Sequence, residues 1–284
     1  MSTTHSIAQL CAAFAVSRAA FVAWKNAPTS LRKEEDARLL EQIRAVHKAH
    51  KGRYGAVRIE KELRKSGHCH GRKRIARLMR TEGIHGLSQK RYIPRTTDSR
   101  HSNPIAPNRL KQSSDPQRVN QIWVSDLTYV ATQEGWLYVA IILDLWSRRV
   151  VGASSGTTLE ASLAVSALQM ALKQRHPPAG MIHHSDRGIQ YASSQYRKIL
   201  EQARLQPSMS RSGNPYDNAA MESFNATYKR QCVGLPQKKG GYTTREEAQA
   251  ELFEYIELYY NRIRLHSALG YKSPVLLTSQ TDRF

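Results

Sequence analysis

An aspartate in the middle of an apolar run constrains this chain more than any other single feature. The stretch Ile122-Trp123-Val124-Ser125-Asp126-Leu127-Thr128-Tyr129-Val130 is rich in β-branched and aromatic residues and reads as a buried strand. A buried carboxylate is costly unless something compensates its charge, so the fold must bring Asp126 a partner. Two other acids stand in comparable places. Asp186 ends a second short strand, 181–186, just before the turn Arg187-Gly188. Glu222 lies in a helical stretch that follows the breaker cluster Ser212-Gly213-Asn214-Pro215, with 35 residues between it and Asp186. Oxygen-only ligands suit hard divalent cations such as Mg²⁺ or Mn²⁺ and disfavour zinc. Two such ions activate water and hold the leaving oxygen when a phosphodiester is cut, so the three acids together point to phosphoryl transfer on DNA.

Other acids compete for the same role. Asp144 lies inside the apolar run from Leu137 to Leu145 and precedes Arg148 and Arg149, with one of which it is expected to pair. Asp217, five residues before Glu222, is expected to cap the Glu222 helix. Lys229 lies seven residues after Glu222, two turns on and on the same helical face. It is expected to hold DNA beside the site. Asn218 and Asn225 flank that face, free to touch DNA or to support Glu222. His183 and His184 precede Asp186 but are not expected to ligate metal.

Charge divides the chain. Residues 1–118 hold 25 Lys and Arg against 9 Asp and Glu, whereas residues 119–284 hold 18 against 14. A front half this basic repels itself without a polyanion, so nucleic acid is the expected partner. No apolar run is long enough to span a bilayer, so a membrane partner is not expected. Cys11, Cys69 and Cys232 are far apart and form no ligand pair, which fits a reducing cytoplasm. The cluster His68-Cys69-His70 lacks a second pair at ligand spacing and is not expected to bind metal.

The chain divides into four segments. Residues 1–30 read as two short helices around a turn, Ser17 capping the second; they fit either a helix-turn-helix or two packed helices that bind nothing. Residues 31–87 form a second helical unit. Its first helix carries the stripe Leu39, Leu40, Ile43 and Val46, followed by helices near 57–63 and 74–79. Residues 88–118, broken by prolines and basic, read as an extended linker able to lie along DNA. From 119 to 284 strands and helices alternate. Strands are expected at 122–130, 136–143, 148–152, 181–186 and 205–209, with helices at 158–173, 190–203, around Glu222, and at 245–260.

Four motifs in this order resemble a known family: Trp123-Val124-Ser125-Asp126-Leu127-Thr128-Tyr129, His184-Ser185-Asp186-Arg187-Gly188-Ile189-Gln190-Tyr191, Asn214 to Phe224, and Tyr260 to Tyr271. They are similar to the DD(35)E core of insertion-sequence-3 family transposases, in particular the second-reading-frame product, OrfB. The resemblance implies an α/β RNase H-like integrase core preceded by all-α helix-turn-helix DNA-binding units. It implies that Asp126 bridges two Mg²⁺ or Mn²⁺ ions, with Asp186 and Glu222 on the outer sides. It implies DNA contacts at Arg72, Lys73, Arg74 and Arg77, mostly to phosphate, and a DNA-holding cation at Lys229. The implied activity is metal-dependent 3′-end cleavage and strand transfer in the bacterial nucleoid, on the element's terminal inverted repeats and on target DNA. The implied partners are further copies of the chain on DNA and a first-frame (OrfA) product. A non-catalytic DNA-binding partner or regulator of transposition is the alternative. For the Asn261–His266 segment, packing on the core and reaching DNA both remain open.

Overall fold

The computed structural model describes residues 5–26, 30–87, 103–110, 113–211, 218–233 and 241–281. Asp217, most of the linker and most of the 236–242 loop fall outside them. The chain divides into two compact units, 1–86 and 87–284.

The first unit is helical. Helices α1 (Ile7–Ala13) and α2 (Arg18–Asn26) are each capped by a serine. Ser6 and Gln9 exchange hydrogen bonds as a capping box, and Ser17 Oγ accepts from the Ala20 amide at 3.1 Å, as its position suggested. Helix α3 (Leu31–Ala49) buries Leu39 and Ile43; Leu40 and Val46 lie at the edge of that stripe. Helices α4 (Ala56–Lys65) and α5 (Arg72–Thr81) close over it with Ile59, Leu63, Ile75, Leu78 and Met79. Gly86 completes the packing: a Cβ there would stand 2.6 Å from the Gly55 amide nitrogen, so only glycine fits.

The second unit is built on a five-stranded sheet in the order β3-β2-β1-β4-β5. Strands β1 (Ile122–Thr132), β2 (Gly135–Asp144) and β3 (Val150–Gly156) form an antiparallel meander; β4 (Ile182–Ser185) and β5 (Gln206–Met209) add in parallel. The β1–β2 turn needs Gly135, whose φ of 109° is strained for other residues. On one face, helix α6 (Ala161–Arg175) packs Leu163, Ala167, Leu168 and Ala171 against Ala140, Ile142 and Val151. Gly152 permits this close approach, since a Cβ would meet the Ala167 carbonyl oxygen at 2.3 Å. Short helix α7 (Ile189–Ala192) and helix α8 (Ser194–Gln202) complete that layer. The opposite face is covered by helices α9 (Ala219–Tyr228) and α10 (Arg245–Glu254), and helix α11 (Pro274–Thr281) follows near the C-terminus.

This is the RNase H-like order expected from the sequence, with local differences. The third strand starts at Val150, because Arg148 adopts a left-handed φ of 57° in the turn, and it runs on to pair Gly156 with Tyr138. The single helix expected over 190–203 breaks at Ser193, whose extended backbone lets its hydroxyl cap α8. Both α9 and α10 run on into wider turns, Lys229–Val233 and Tyr255–Tyr260. Residues 103–110 of the supposed linker lie against the second unit: Ala106 packs on its core, and the Arg109 amide donates to Ser208 Oγ at 2.9 Å.

The Asn261–His266 segment packs on the core. Asn261 brackets Val150, its Oδ1 accepting from the amide and its Nδ2 donating to the carbonyl, both at 3.0 Å. Buried Arg264 donates to Gln231 Oε1, as does the Tyr255 hydroxyl, and stands against His266 and Tyr260. The segment thereby ties the C-terminal helices to β3 and to the turn after α9.

Candidate active site

Strand register brings two of the carboxylates together. The β1–β4 ladder pairs Ile122 with Ile182, Trp123 with His183 and Val124 with His184. The same offset, carried two residues past the last pair, sets Asp126 beside Asp186 on one face of adjacent strands, whose usual spacing is about 4.8 Å. Beyond β4, Asp186 Oδ1 accepts the Gly188 amide at 2.8 Å, and Arg187 Nε anchors the turn on the Ser210 carbonyl at 2.8 Å.

Helix α9 supplies the third acid. Glu222 sits in its first turn and is exposed. One turn on, Asn225 Nδ2 donates to Asp126 Oδ2 at 2.7 Å, and Asn218, before the helix, donates to the Ser125 carbonyl at 3.3 Å. A further turn on, the Lys229 ammonium stands 4.8 Å from the centre of the Tyr129 ring. The face Glu222, Asn225, Lys229 therefore lies along the β1 segment that carries Asp126. The Asn225 contact is one that sequence reasoning missed: helical spacing placed Asn225 on the right face but could not name its partner.

Burial, and after it like charge, sets the electrostatics. Asp126 keeps part of its surface open to solvent, yet its carboxyl is set deep among protein atoms. Burial first, then repulsion from Asp186 and Glu222, pushes its pKa up to about 8, against the opposing pull of the Leu127 amide and Lys229. Burial raises the Glu222 carboxyl as well. Burial lowers the Lys229 ammonium, while the charge of Asp126 acts the other way. Among the described residues no three His, Cys, Asp or Glu side chains stand close enough to share one ion. A bridging Asp126 does not require that, because each of two ions would then take only two of the three acids. The donor set is all oxygen, its acids repel one another, and both carboxylates of the adjacent pair are partly open to solvent. These residues fit hard divalent cations.

The neighbouring polar residues are structural. Asp144 is fully buried and does not form the ion pair expected with Arg148 or Arg149. It accepts instead from the Asn120 amide at 2.7 Å, the Ser147 amide at 2.7 Å and the Ser147 hydroxyl at 2.6 Å. Those three donors satisfy it where it stands. His183 meets the Tyr196 hydroxyl at 3.0 Å and is kept neutral by burial, its pKa pushed down to about 3. His184 meets Ser208 Oγ at 2.8 Å.

In the helical unit the four cations expected at DNA separate into two pairs. Arg72 and Lys73, at the start of α5, are exposed. Arg74 Nε donates to Asp36 Oδ1 at 2.6 Å, and Arg77 donates to Asp36 Oδ2 at 2.5 Å. Those two arginines bind α5 to α3, and their hydrogen bonds hold the Asp36 carboxyl below its usual range.

Comparison with known proteins adds an independent view. Residues 116–215 match the family described as Integrase core domain, residues 203–274 match a second family with that description, and residues 33–92 match the HTH-like domain. The chain is 45% identical over 265 residues to an uncharacterized 31 kDa protein of insertion element IS600 from Shigella sonnei, spanning 93% of this chain and 96% of that one. It is 42% identical over 236 residues to the transposase for insertion sequence element IS904 of Lactococcus lactis, spanning 83% and 91%. It is 38% identical over 271 residues to transposase InsF for insertion sequence IS3A of Escherichia coli, spanning 95% and 92%. Among solved structures it is similar to a chain of the simian T-cell lymphotropic virus intasome, at 17% identity and a TM-score of 0.49, over 76% of this chain and 73% of that one.

Proposed function

The chain belongs to the insertion-sequence-3 family of transposases, and on that footing we propose that Asp126, Asp186 and Glu222 carry Mg²⁺- or Mn²⁺-dependent cleavage at the 3′ ends of an insertion element and the strand transfer that follows. The common register of Asp126 and Asp186, with Asn225 pinning the Glu222 helix to Asp126, carries this proposal. Two bound cations would supply an activated water or 3′-hydroxyl and stabilise the leaving oxygen. Asp126 would hold both, with Asp186 and Glu222 each completing one of them. Asn225 occupies one oxygen of Asp126 and so orients the other. Lys229 offers a positive charge to the DNA backbone beside the site, with Asn218 at the near end of the same helix. No Ser, Cys or Tyr nucleophile is required, so no covalent enzyme–DNA intermediate forms. Arg72 and Lys73 engage DNA phosphate from the helical unit, with Arg74 and Arg77 contributing where their pairing with Asp36 leaves donors exposed. The protein acts as an oligomer on DNA in the bacterial nucleoid.

The test is a labelled element end incubated with Mg²⁺ and resolved on a denaturing gel, wild type beside Glu222→Gln. A 3′ nick and a joined product, both absent in the variant, are expected. Binding without a nick in the wild type would instead favour a regulatory subunit or one that needs a first-frame partner.

A further inference from the structure

An aromatic pair with a cation above it lies on the same strand as Asp126. Tyr129 and Trp136 face each other across the β1–β2 hairpin, ring centres 4.7 Å apart and planes at 79°, an edge-to-face contact. Trp136 is 47% exposed, although a tryptophan normally buries most of its surface. The Lys229 ammonium sits 4.8 Å from the Tyr129 ring centre and also feels the charge of Asp126, so it links the aromatic pair to the carboxylates.

The hairpin that presents the pair is held firmly. Arg245 donates from its amide to Glu134 Oε2 at 2.8 Å and from Nε to the Trp136 carbonyl at 3.1 Å. The Gln133 amide donates to the Tyr242 carbonyl at 2.9 Å, beside the Thr132–Tyr242 bridge. Strand β4 pairs with β1 only at Ile122–Val124. Among the described residues, the edge of β1 from Leu127 to Ala131 therefore has no strand beside it. Along an extended strand Tyr129 lies about 10 Å from Asp126, roughly the length of three stacked nucleotides in one DNA strand. Three residues apart, the two side chains leave opposite faces of the sheet, and Lys229 is close to both.

We propose that Tyr129 and Trp136, with Lys229, form a stacking platform for an unpaired base of the DNA strand whose phosphate lies at Asp126 and Asp186. This rests on the reading of Asp126, Asp186 and Glu222 as the cleaving site. In a paired duplex each base face is already covered by its neighbours, so an open aromatic surface engages only a frayed or extruded base. Stacking tolerates any sequence, because every base has a π-face. A lysine over the same ring neutralises phosphate and adds no base preference of its own. The occupant that fits an aromatic surface, a single ammonium and a nearby cluster of acids is therefore single-stranded DNA at a duplex end, drawn in so that the strand can bend into the carboxylates.

The experiment compares a duplex with a short unpaired 3′ overhang carrying 2-aminopurine and the same duplex fully paired, both bound by the full chain without divalent metal. Wild type should prefer the overhang by about fivefold or more, the scale of one lost base–aromatic stack, and should quench the 2-aminopurine. Trp136→Ala and Tyr129→Leu should each remove the preference and the quenching while leaving paired-duplex affinity unchanged. Trp136→Phe, which keeps an aromatic face, should retain both. Preference surviving in both Trp136→Ala and Tyr129→Leu overturns the proposal, as does an equal loss of paired-duplex binding or a loss of preference in Trp136→Phe with unchanged melting temperature. Asp126→Asn separates the two readings: it should keep the overhang preference and lose nicking. Nicking that persists in Asp126→Asn removes the carboxylate assignment, whereas quenching that depends on Trp136 would stand regardless.

Discussion

The sheet unit and the helical unit handle charge in opposite ways. In the sheet unit burial, and then the charges of Asp186 and Glu222, raise the ionisation cost of Asp126 against the pull of the Leu127 amide and Lys229. In the helical unit Asp36 of α3 meets both Arg74 and Arg77 of α5. Like charges held together at a cost mark a place built for something not in the chain itself, which the proposed function takes to be a divalent cation. Opposite charges paired between helices mark a place that holds the chain together. The contrast also sorts residues that look alike: among the described residues Asp144 is buried as deeply as any acid, but three donors satisfy it and it needs no ion.

The largest expected effect breaks the site and spares the scaffold. Asp126→Asn or Asp186→Asn should slow strand cleavage by at least the roughly 10²–10³ that one lost transition-state contact costs, with DNA affinity nearly unchanged. A gel assay beside a binding titration decides it, and parallel loss of binding would return these acids to a structural role. Next, Asn225→Leu removes the donor to Asp126 Oδ2 and should cost about 10–100-fold in rate or Mg²⁺ affinity, as outer-shell partners of metal sites do. A rate profile in Mg²⁺ unchanged from wild type would show that the contact does not orient Asp126.

Smaller effects should separate the cations of the helical unit. Arg72→Ala and Lys73→Ala should each weaken DNA binding and lower the salt slope by about one unit without moving the melting temperature. Arg74→Ala should lower the melting temperature, because it strips Asp36 of a donor. The folded Asp36 carboxyl titrates below its unfolded value, so that stabilisation is present above about pH 4 and is lost as pH falls through the folded value. A melting temperature of Arg74→Ala equal to wild type at pH 7 would place Arg74 with Arg72 as a free DNA contact.

The smallest effect tests burial alone. His183 has its folded pKa pushed down to about 3 from an ordinary value near 6.5. The unfolded chain therefore takes up a proton that the folded one refuses, and stability falls as pH drops from about 6.5 toward 3. His183→Gln should flatten that acid slope in denaturant titrations at pH 7 and pH 4.5. An unchanged slope would mean the acid sensitivity arises elsewhere.

Local periodicity was enough to place the meander, the β4 strand and the α9 helix, because alternation of apolar residues and turn residues such as Gly135 act over a few positions. It was enough to single out Asp126, since an acid inside an apolar strand is a local contradiction. Tertiary structure alone decided which residues meet. That Arg74 and Arg77 turn to Asp36, that Asn261 brackets Val150, and that Asn225 reaches Asp126 depends on contacts between residues 38 to 111 positions apart. A polar side chain carries its donors in the sequence, but its partner is chosen by strand register and helix packing, which no stretch of neighbouring residues encodes.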